Sequence, residues 1–172
     1  MDDPSYKTYL KDINVMIFDV DGVLTNGSVT ITSDGELLRT MNIKDGYALK
    51  VAIASGLRIC IISGGSNEGV KTRLHKLGVS DIFIGVHDKL QQLKSFAQQN
   101  SIDLKQALYM GDDIPDVDAM QLTLLPCAPQ DAVPEIKAVS KYISHKKGGD
   151  GCVRDIIEQV LKIQGKWPKM AR

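Results

Sequence analysis

Apolar residues fall along the chain in short continuous runs, separated by stretches with helical spacing. Runs at 15–18 (VMIF), 58–62 (RICII), 82–84 (IFI), 107–110 (ALYM), 122–125 (LTLL) and 142–143 (YI) read as strands. Near-continuous apolar strands alternating with helices indicate an α/β fold whose parallel sheet is covered on both faces. Helical spacing predicts helices over 46–54, 67–77, 89–99, 114–120 and 150–163. In the last of these, Val153, Ile156, Ile157, Val160 and Leu161 recur at the interval of a core-facing stripe. Gly56 and Gly78 stand where helices stop, and Asp45 and Asp88 where N-caps belong. One piece breaks the alternation. Segments 28–32 and 36–41 flank Ser33-Asp34-Gly35, with Val29, Ile31, Leu37 and Met41 at alternating positions, which predicts a β-hairpin. It follows the first strand directly, where a plain βαβ unit would carry a helix. No linker, repeat or charge block divides the chain, so one domain over 1–172 is expected, with loose ends at 1–4 and about 165–172.

Composition removes several function classes. Twenty-one Lys and Arg balance twenty-one Asp and Glu, so the chain as a whole has no pull toward nucleic acid. No run approaches the ~20 apolar residues of a membrane helix. The acidic start, MDDPSYKTYL, lacks the apolar segment of a secretory signal. Cys60, Cys127 and Cys152 show no metal-binding spacing and suit a reducing compartment, so a cytoplasmic protein is expected.

The chemistry should lie where open parallel sheets bind ligands, beyond the carboxyl ends of the strands. Four polar clusters fall there. Asp19-Val20-Asp21-Gly22 follows the first strand and Ser63-Gly64-Gly65 the second. Asp88-Lys89 opens the helix after the third, and Gly111-Asp112-Asp113 follows the fourth, with Asp116 close behind. Asp19, Asp21 and Asp112 would crowd three negative charges, which raises a carboxylate pKa unless a cation is present. Mg²⁺ prefers such oxygen ligands. A carboxylate can also attack phosphorus, once metal charge offsets the repulsion. Ser63 can donate to a phosphoryl oxygen, Lys89 adds a positive charge, and Asp21 is placed to protonate a leaving oxygen and then activate water. The set suits hydrolysis of a phosphate ester.

These clusters, FDVDG (18–22), IISGG (61–65), Lys89 and GDDIPD (111–116), resemble the four motifs of the haloacid dehalogenase (HAD) superfamily, and the resemblance covers essentially the whole chain. It implies a Rossmann-like core, Mg²⁺ and an aspartyl-phosphate intermediate. Asp19 would be the nucleophile and Asp21 the general acid/base. Asp19, the main-chain carbonyl of Asp21, and Asp112 would bind the metal, with Asp113 nearby. Three further segments, DGVLTNGSVTITSDGE (21–36), NIKDGYALK (42–50) and KKGGDGCVRD (146–155), are similar to the 3-deoxy-D-manno-octulosonate 8-phosphate (KDO8P) phosphatases and their nonulosonate-phosphate relatives. Those enzymes have no cap domain. They form homotetramers in which each hairpin and C-terminal tail shields a neighbour's site.

The resemblance places substrate contacts at Asn42, Lys44, Asp45, Gly46, Lys50, Gly64, Gly65, Arg73 and Arg154, where Arg154 of a neighbouring tail would pair with the substrate's carboxylate. The residue after Ser63-Gly64 is often Arg in KDO8P phosphatases and resembles Glu in the enzymes for the nonulosonate KDN9P. Gly65 stands here. The expected activity is therefore Mg²⁺-dependent hydrolysis of KDO8P in the supply of KDO for lipopolysaccharide. The alternatives are a nonulosonate 9-phosphate substrate, a non-catalytic oligomerisation module, and phosphoryl transfer to an acceptor other than water.

Overall fold

The computed structural model describes residues 5–168. After two 3₁₀ turns, the chain enters β1 (Val15–Phe18), then a small antiparallel hairpin of β2 (Thr30–Ile31) and β3 (Leu37–Leu38). There follow α1 (Ile43–Ala54), β4 (Arg58–Ile62), α2 (Glu68–Lys76), β5 (Asp81–Phe83), α3 (Lys89–Gln99) and β6 (Ala107–Met110). The remainder is α4 (Val117–Gln121), β7 (Leu125–Ala128), α5 (Pro134–Val139), β8 (Tyr142–Ile143) and α6 (Cys152–Ile163). Six strands make one parallel sheet in the order β5-β4-β1-β6-β7-β8. No cap lies over it among the described residues.

Alternation along the strands divides the core in two. Met16, Phe18, Ile59, Ile61, Leu108 and Met110 face α1, α2 and α6. Val15, Ile17, Cys60, Ile62, Ala107 and Tyr109 face α3, α4 and α5. The stripe on α6 is fully buried at Val153, Ile156, Ile157, Val160 and Leu161. All three cysteines are buried and unpaired. No helix among the described residues is long and apolar enough to cross a membrane.

Several elements depart from the sequence reading. Helix α1 begins at Ile43, with Asn42 as its N-cap accepting from Lys44 N at 2.8 Å. Asp45 is thus inside the first turn. Asp88 does cap α3, accepting from Gln91 N at 2.8 Å. Strand β7 lies three residues later than expected, because Leu122 and Thr123 close the turn after α4 through bonds to the carbonyls of Ala119 and Met120. Pro126 sits inside β7 without its N–H, while its carbonyl still accepts from Lys141 N at 2.9 Å. Helix α5, six residues opened by Pro134, was not anticipated. The hairpin is present but short, and Gly35 supplies its positive φ of 87°. Within the tail expected to be loose, Lys166 N and Trp167 N both donate to Leu161 O, at 2.7 and 3.1 Å. The expected looseness of 1–4 and 169–172 lies outside the described residues.

Candidate active site

The chain runs outward through β1, β4 and β5, then returns to lay β6 on the other side of β1 before running outward again. That reversal opens a crevice beyond the carboxyl ends of β1 and β6. Asp19 N donates to Met110 O at 3.1 Å and pins the two strand ends together. A cavity of about 410 Å³ lies there, and its lining includes Asp19, Asp21, Ser63, Gly64, Gly65, Lys89, Asp112, Asp113 and Asp116. The four clusters, distant in sequence, converge.

Lys89, at the start of α3, is the buried cation of the site. Its Nζ lies 2.8 Å from Asp19 Oδ2 and 2.8 Å from Asp116 Oδ1. Burial works against its charge, yet the two carboxylates more than offset this and raise its pKa. Tyr109 OH donates to the same Asp116 oxygen at 2.8 Å. Ser63, at the end of β4, is buried, and its Oγ accepts from Gly65 N at 3.3 Å.

Oxygens of Asp19, Asp112 and Asp116 all lie within 4.8 Å of one another. Two glycines make that crowding possible. A Cβ on Gly22 would fall 1.9 Å from Asp112 Oδ2, and one on Gly111 would fall 2.4 Å from Asp116 Cβ. Burial, then the repulsion of Asp116, raises the Asp19 pKa to about 6 despite Lys89. Burial, then Asp19 and Asp116, raises Asp112 to about 7. Asp116 Oδ2 is buried with no partner. Three oxygen donors, one cation between them and an orphaned carboxylate oxygen fit a divalent, oxygen-seeking ion such as Mg²⁺.

This strain makes stability depend on pH. Between roughly the ordinary value of 3.8 and the raised values near 6 and 7, the folded chain holds more protons on Asp19 and Asp112 than the unfolded chain does. Their contribution to stability therefore falls as pH rises through that window and stays lost above it. Mg²⁺ held by these carboxylates would take the place of those protons. At a hundred times its dissociation constant it should stabilise by about 2.7 kcal/mol. Thermal melts should show a clear Mg²⁺-induced rise at about pH 8 and a much smaller one at about pH 5. Equal rises at both would contradict the assignment.

Neither the Asp113 nor the Asp21 carboxylate joins this cluster; the metal contact expected of Asp21 was its main-chain carbonyl. Asp113 is exposed, and its carboxylate accepts from Ile114 N at 2.8 Å, capping a 3₁₀ turn. That turn carries Asp116 back under Gly111, so Asp116 takes the place in the cluster. The Asp21 carboxylate is held by Arg39, Nε to Oδ1 at 2.8 Å and Nη2 to Oδ2 at 3.1 Å. Asp116 was visible in its motif but carried no assigned role. Arg39 gave no motif signal at all, since only the folded hairpin brings it to the site.

The expected substrate contacts divide. Gly64 and Gly65 line the catalytic cavity. Asn42, Lys44 and Arg154 line a separate groove of about 580 Å³ between the N-termini of α1 and α6. Lys50 and Arg73 are exposed, and Arg73 Nη2 lies 3.1 Å from where a Cβ on buried Gly46 would be. Asp45 is turned toward α6. It is 1% exposed, and its Oδ1 accepts from Arg154 N at 2.7 Å, capping α6 from outside because Gly151 at the N-cap has no side chain. Arg154 pairs with Glu158 at 3.2 Å and stacks near Tyr47 and Trp167.

Comparison with known proteins agrees with this geometry. Residues 79–156 match the profile of the haloacid dehalogenase-like hydrolases. The chain is 32% identical to the KDO8P phosphatase KdsC of Salmonella typhimurium, over 95% of this chain and 87% of that one. Against the Escherichia coli K12 KdsC it is also 32% identical, over 91% and 83%. Among solved structures, the Moraxella catarrhalis KDO8P phosphatase in complex with magnesium, phosphate and KDO superposes with a TM-score of 0.90 at 34% identity, covering 93% of this chain and 92% of that one. The chain belongs to the KDO8P phosphatase family of haloacid dehalogenase-like hydrolases.

Proposed function

We propose that the chain is a Mg²⁺-dependent phosphatase that hydrolyses KDO8P to KDO and phosphate. The observation that carries the reading is the Asp19 carboxylate, held by Lys89 beside Asp112 and Asp116 in the crevice between β1 and β6. Asp19, Asp112 and Asp116 would hold Mg²⁺, which when bound offsets the charge between a carboxylate and a phosphate dianion. Asp19 attacks phosphorus, and the P–O bond to the sugar breaks as an aspartyl phosphate forms. Asp21 gives its proton to the departing oxygen. It then takes a proton from water, whose oxygen attacks phosphorus and frees the Asp19 carboxylate. Lys89 holds Asp19 in place, and Ser63 can donate to a phosphoryl oxygen.

The substrate assignment is supported by the named activity of the relatives and by one local feature. No arginine stands at position 65, but the Arg39 guanidinium occupies the space in front of Gly65, with Nη2 3.4 Å from where a Cβ would be. A guanidinium, paired with the Asp21 carboxylate, therefore stands near that place. Purified protein with Mg²⁺ should release phosphate from KDO8P with a kcat/KM well above that for KDN9P or generic phosphate esters. A kcat/KM no better than for generic esters would defeat the assignment.

The active assembly is a homotetramer in the cytoplasm, making KDO for lipopolysaccharide. Support comes from the hairpin, where Val29, Ile31, Leu37 and Leu38 are 41–69% exposed and belong to neither core cluster among the described residues. Asn42, Lys44 and Arg154 would then serve a neighbour's cavity. Sedimentation as a monomer under assay conditions would remove this part.

A further inference from the structure

Arg39 stands just past β3, at the foot of the hairpin, and its side chain is only 8% exposed. Its fork grips both oxygens of Asp21, at 2.8 and 3.1 Å. The remaining terminal nitrogen, Nη1, donates to Leu37 O at 3.0 Å. That same carbonyl accepts from Asn67 Nδ2, at the N-cap of α2, at 3.1 Å. The guanidinium is thus fixed at two ends, to the hairpin backbone and to the carboxylate. A bidentate Arg–carboxylate pair fixes orientation as well as position.

Two further facts give the contact a purpose. Asp21 is absent from the cluster formed by Asp19, Asp112 and Asp116, although it is two residues from Asp19. Arg39 draws this carboxylate aside, so it does not become a fourth negative charge in the metal cluster. Glycine at 65 eases the fit. A Cβ there would lie 3.1 Å from Asp21 Oδ2, so the carboxylate would have to shift by a few tenths of an ångström, and 3.4 Å from Arg39 Nη2.

We infer that Arg39 is a positioning residue, which fixes the orientation of the Asp21 carboxyl for its proton transfer to the leaving oxygen, with Gly65 leaving the pair uncrowded. The inference rests on the phosphatase reading and deepens it. In the first half-reaction, the P–O bond to the alcohol breaks, the Asp19 O–P bond forms, and the Asp21 proton moves to the departing alkoxide. A misplaced Asp21 slows that step in proportion to how much the leaving group needs a proton. The same link makes the hairpin, otherwise a flap of two two-residue strands, part of the acid/base apparatus.

The test compares kcat/KM of wild type, Arg39→Ala and Arg39→Lys on three esters: KDO8P, a sugar phosphate without a carboxylate, and p-nitrophenyl phosphate. For this mechanism kcat/KM reports only the steps up to loss of the alcohol, so water attack does not confuse the comparison. General acid catalysis is worth about 10²–10⁴-fold, and Arg39→Ala should lose on the order of 10–100-fold on both alkyl esters. The aryl ester, whose leaving group needs little protonation, should change by less than about 3-fold. Arg39→Lys, with the charge but not the fork, should fall between. Loss confined to KDO8P would make Arg39 a carboxylate ligand, and equal loss on all three would make it structural. Either result overturns the inference. Wild type that hydrolyses the esters without preferring KDO8P sinks only the substrate reading, and the Arg39 comparison still decides. Wild type inactive on all three sinks both.

Discussion

Asp19→Asn should abolish phosphate release, lowering kcat/KM on the order of 10⁵-fold, while the chain remains folded. Loss of turnover follows because an amide oxygen cannot form the acyl phosphate. Folding should survive for local reasons. Asp19 Oδ1 accepts from Val20 N at 2.6 Å, and an amide oxygen can accept that bond. Lys89 keeps Asp116 at 2.8 Å. The substitution also removes one charge from a crowded cluster whose members are pushed up to about 6 and 7. The metal-free variant should therefore melt no lower than wild type at about pH 8. Phosphate release and a thermal melt on the same preparation check both halves. Turnover within about ten-fold of wild type would refute Asp19 as nucleophile.

Lys89→Met should have the largest effect on stability. Lys89 is the cation between two buried carboxylates, so its loss leaves Asp19 and Asp116 facing each other without a counter-charge. Breaking a buried pair by removing one partner costs about 3–5 kcal/mol. For a chain of this size each kcal/mol moves Tm by about 2–4 °C, so a fall of roughly 10 °C is expected in metal-free protein. The deficit should shrink in saturating Mg²⁺, which supplies positive charge to the same cluster. It should also shrink toward about pH 5, where the carboxylates can protonate. Activity should fall about 10²–10³-fold even with Mg²⁺, from loss of a fixed charge at the transferring phosphoryl group. A melt within a degree or two of wild type, at about pH 8 without metal, would mean that Lys89 does not carry the charge balance.

Both expectations depend on residues that were visible as types before any folding. Asp19, Ser63, Lys89 and Asp112 announced themselves because each follows a strand or opens a helix, and a parallel sheet gathers such positions at one edge. The strands were legible for the same reason. Met16 and Phe18 must face one layer of helices, and Val15 and Ile17 the other, so every residue of β1 is apolar. Weakly patterned pieces were not legible. Strand β7 contains a proline, and α5 is six residues long, too short for a period to emerge.

Asp45 shows the limit from the other side. Its type and place suggested an N-cap or a substrate contact. It caps a helix, but the helix is α6, some hundred residues away, through Arg154 N. No local rule could reveal that, because the partner exists only once α1 lies against α6. Asp113 and Asp116 make the same point within one motif. Spacing alone left both open, and a single 3₁₀ turn beneath Gly111 brings Asp116, not Asp113, beside Asp19 and Asp112.

Sequence alone determined the parallel α/β sheet, the edge on which polar clusters gather, and the carboxylates and lysine that meet there. Period and strand-end position are local properties, and they survive any rearrangement of the loops. Tertiary structure alone decided which carboxylates share the cluster, that Asp45 turns inward to cap α6, and that a hairpin arginine reaches Asp21 across the gap at Gly65. Those outcomes turn on which side chain finds empty space beside it. Space is set by how distant segments pack, and no stretch of sequence contains it.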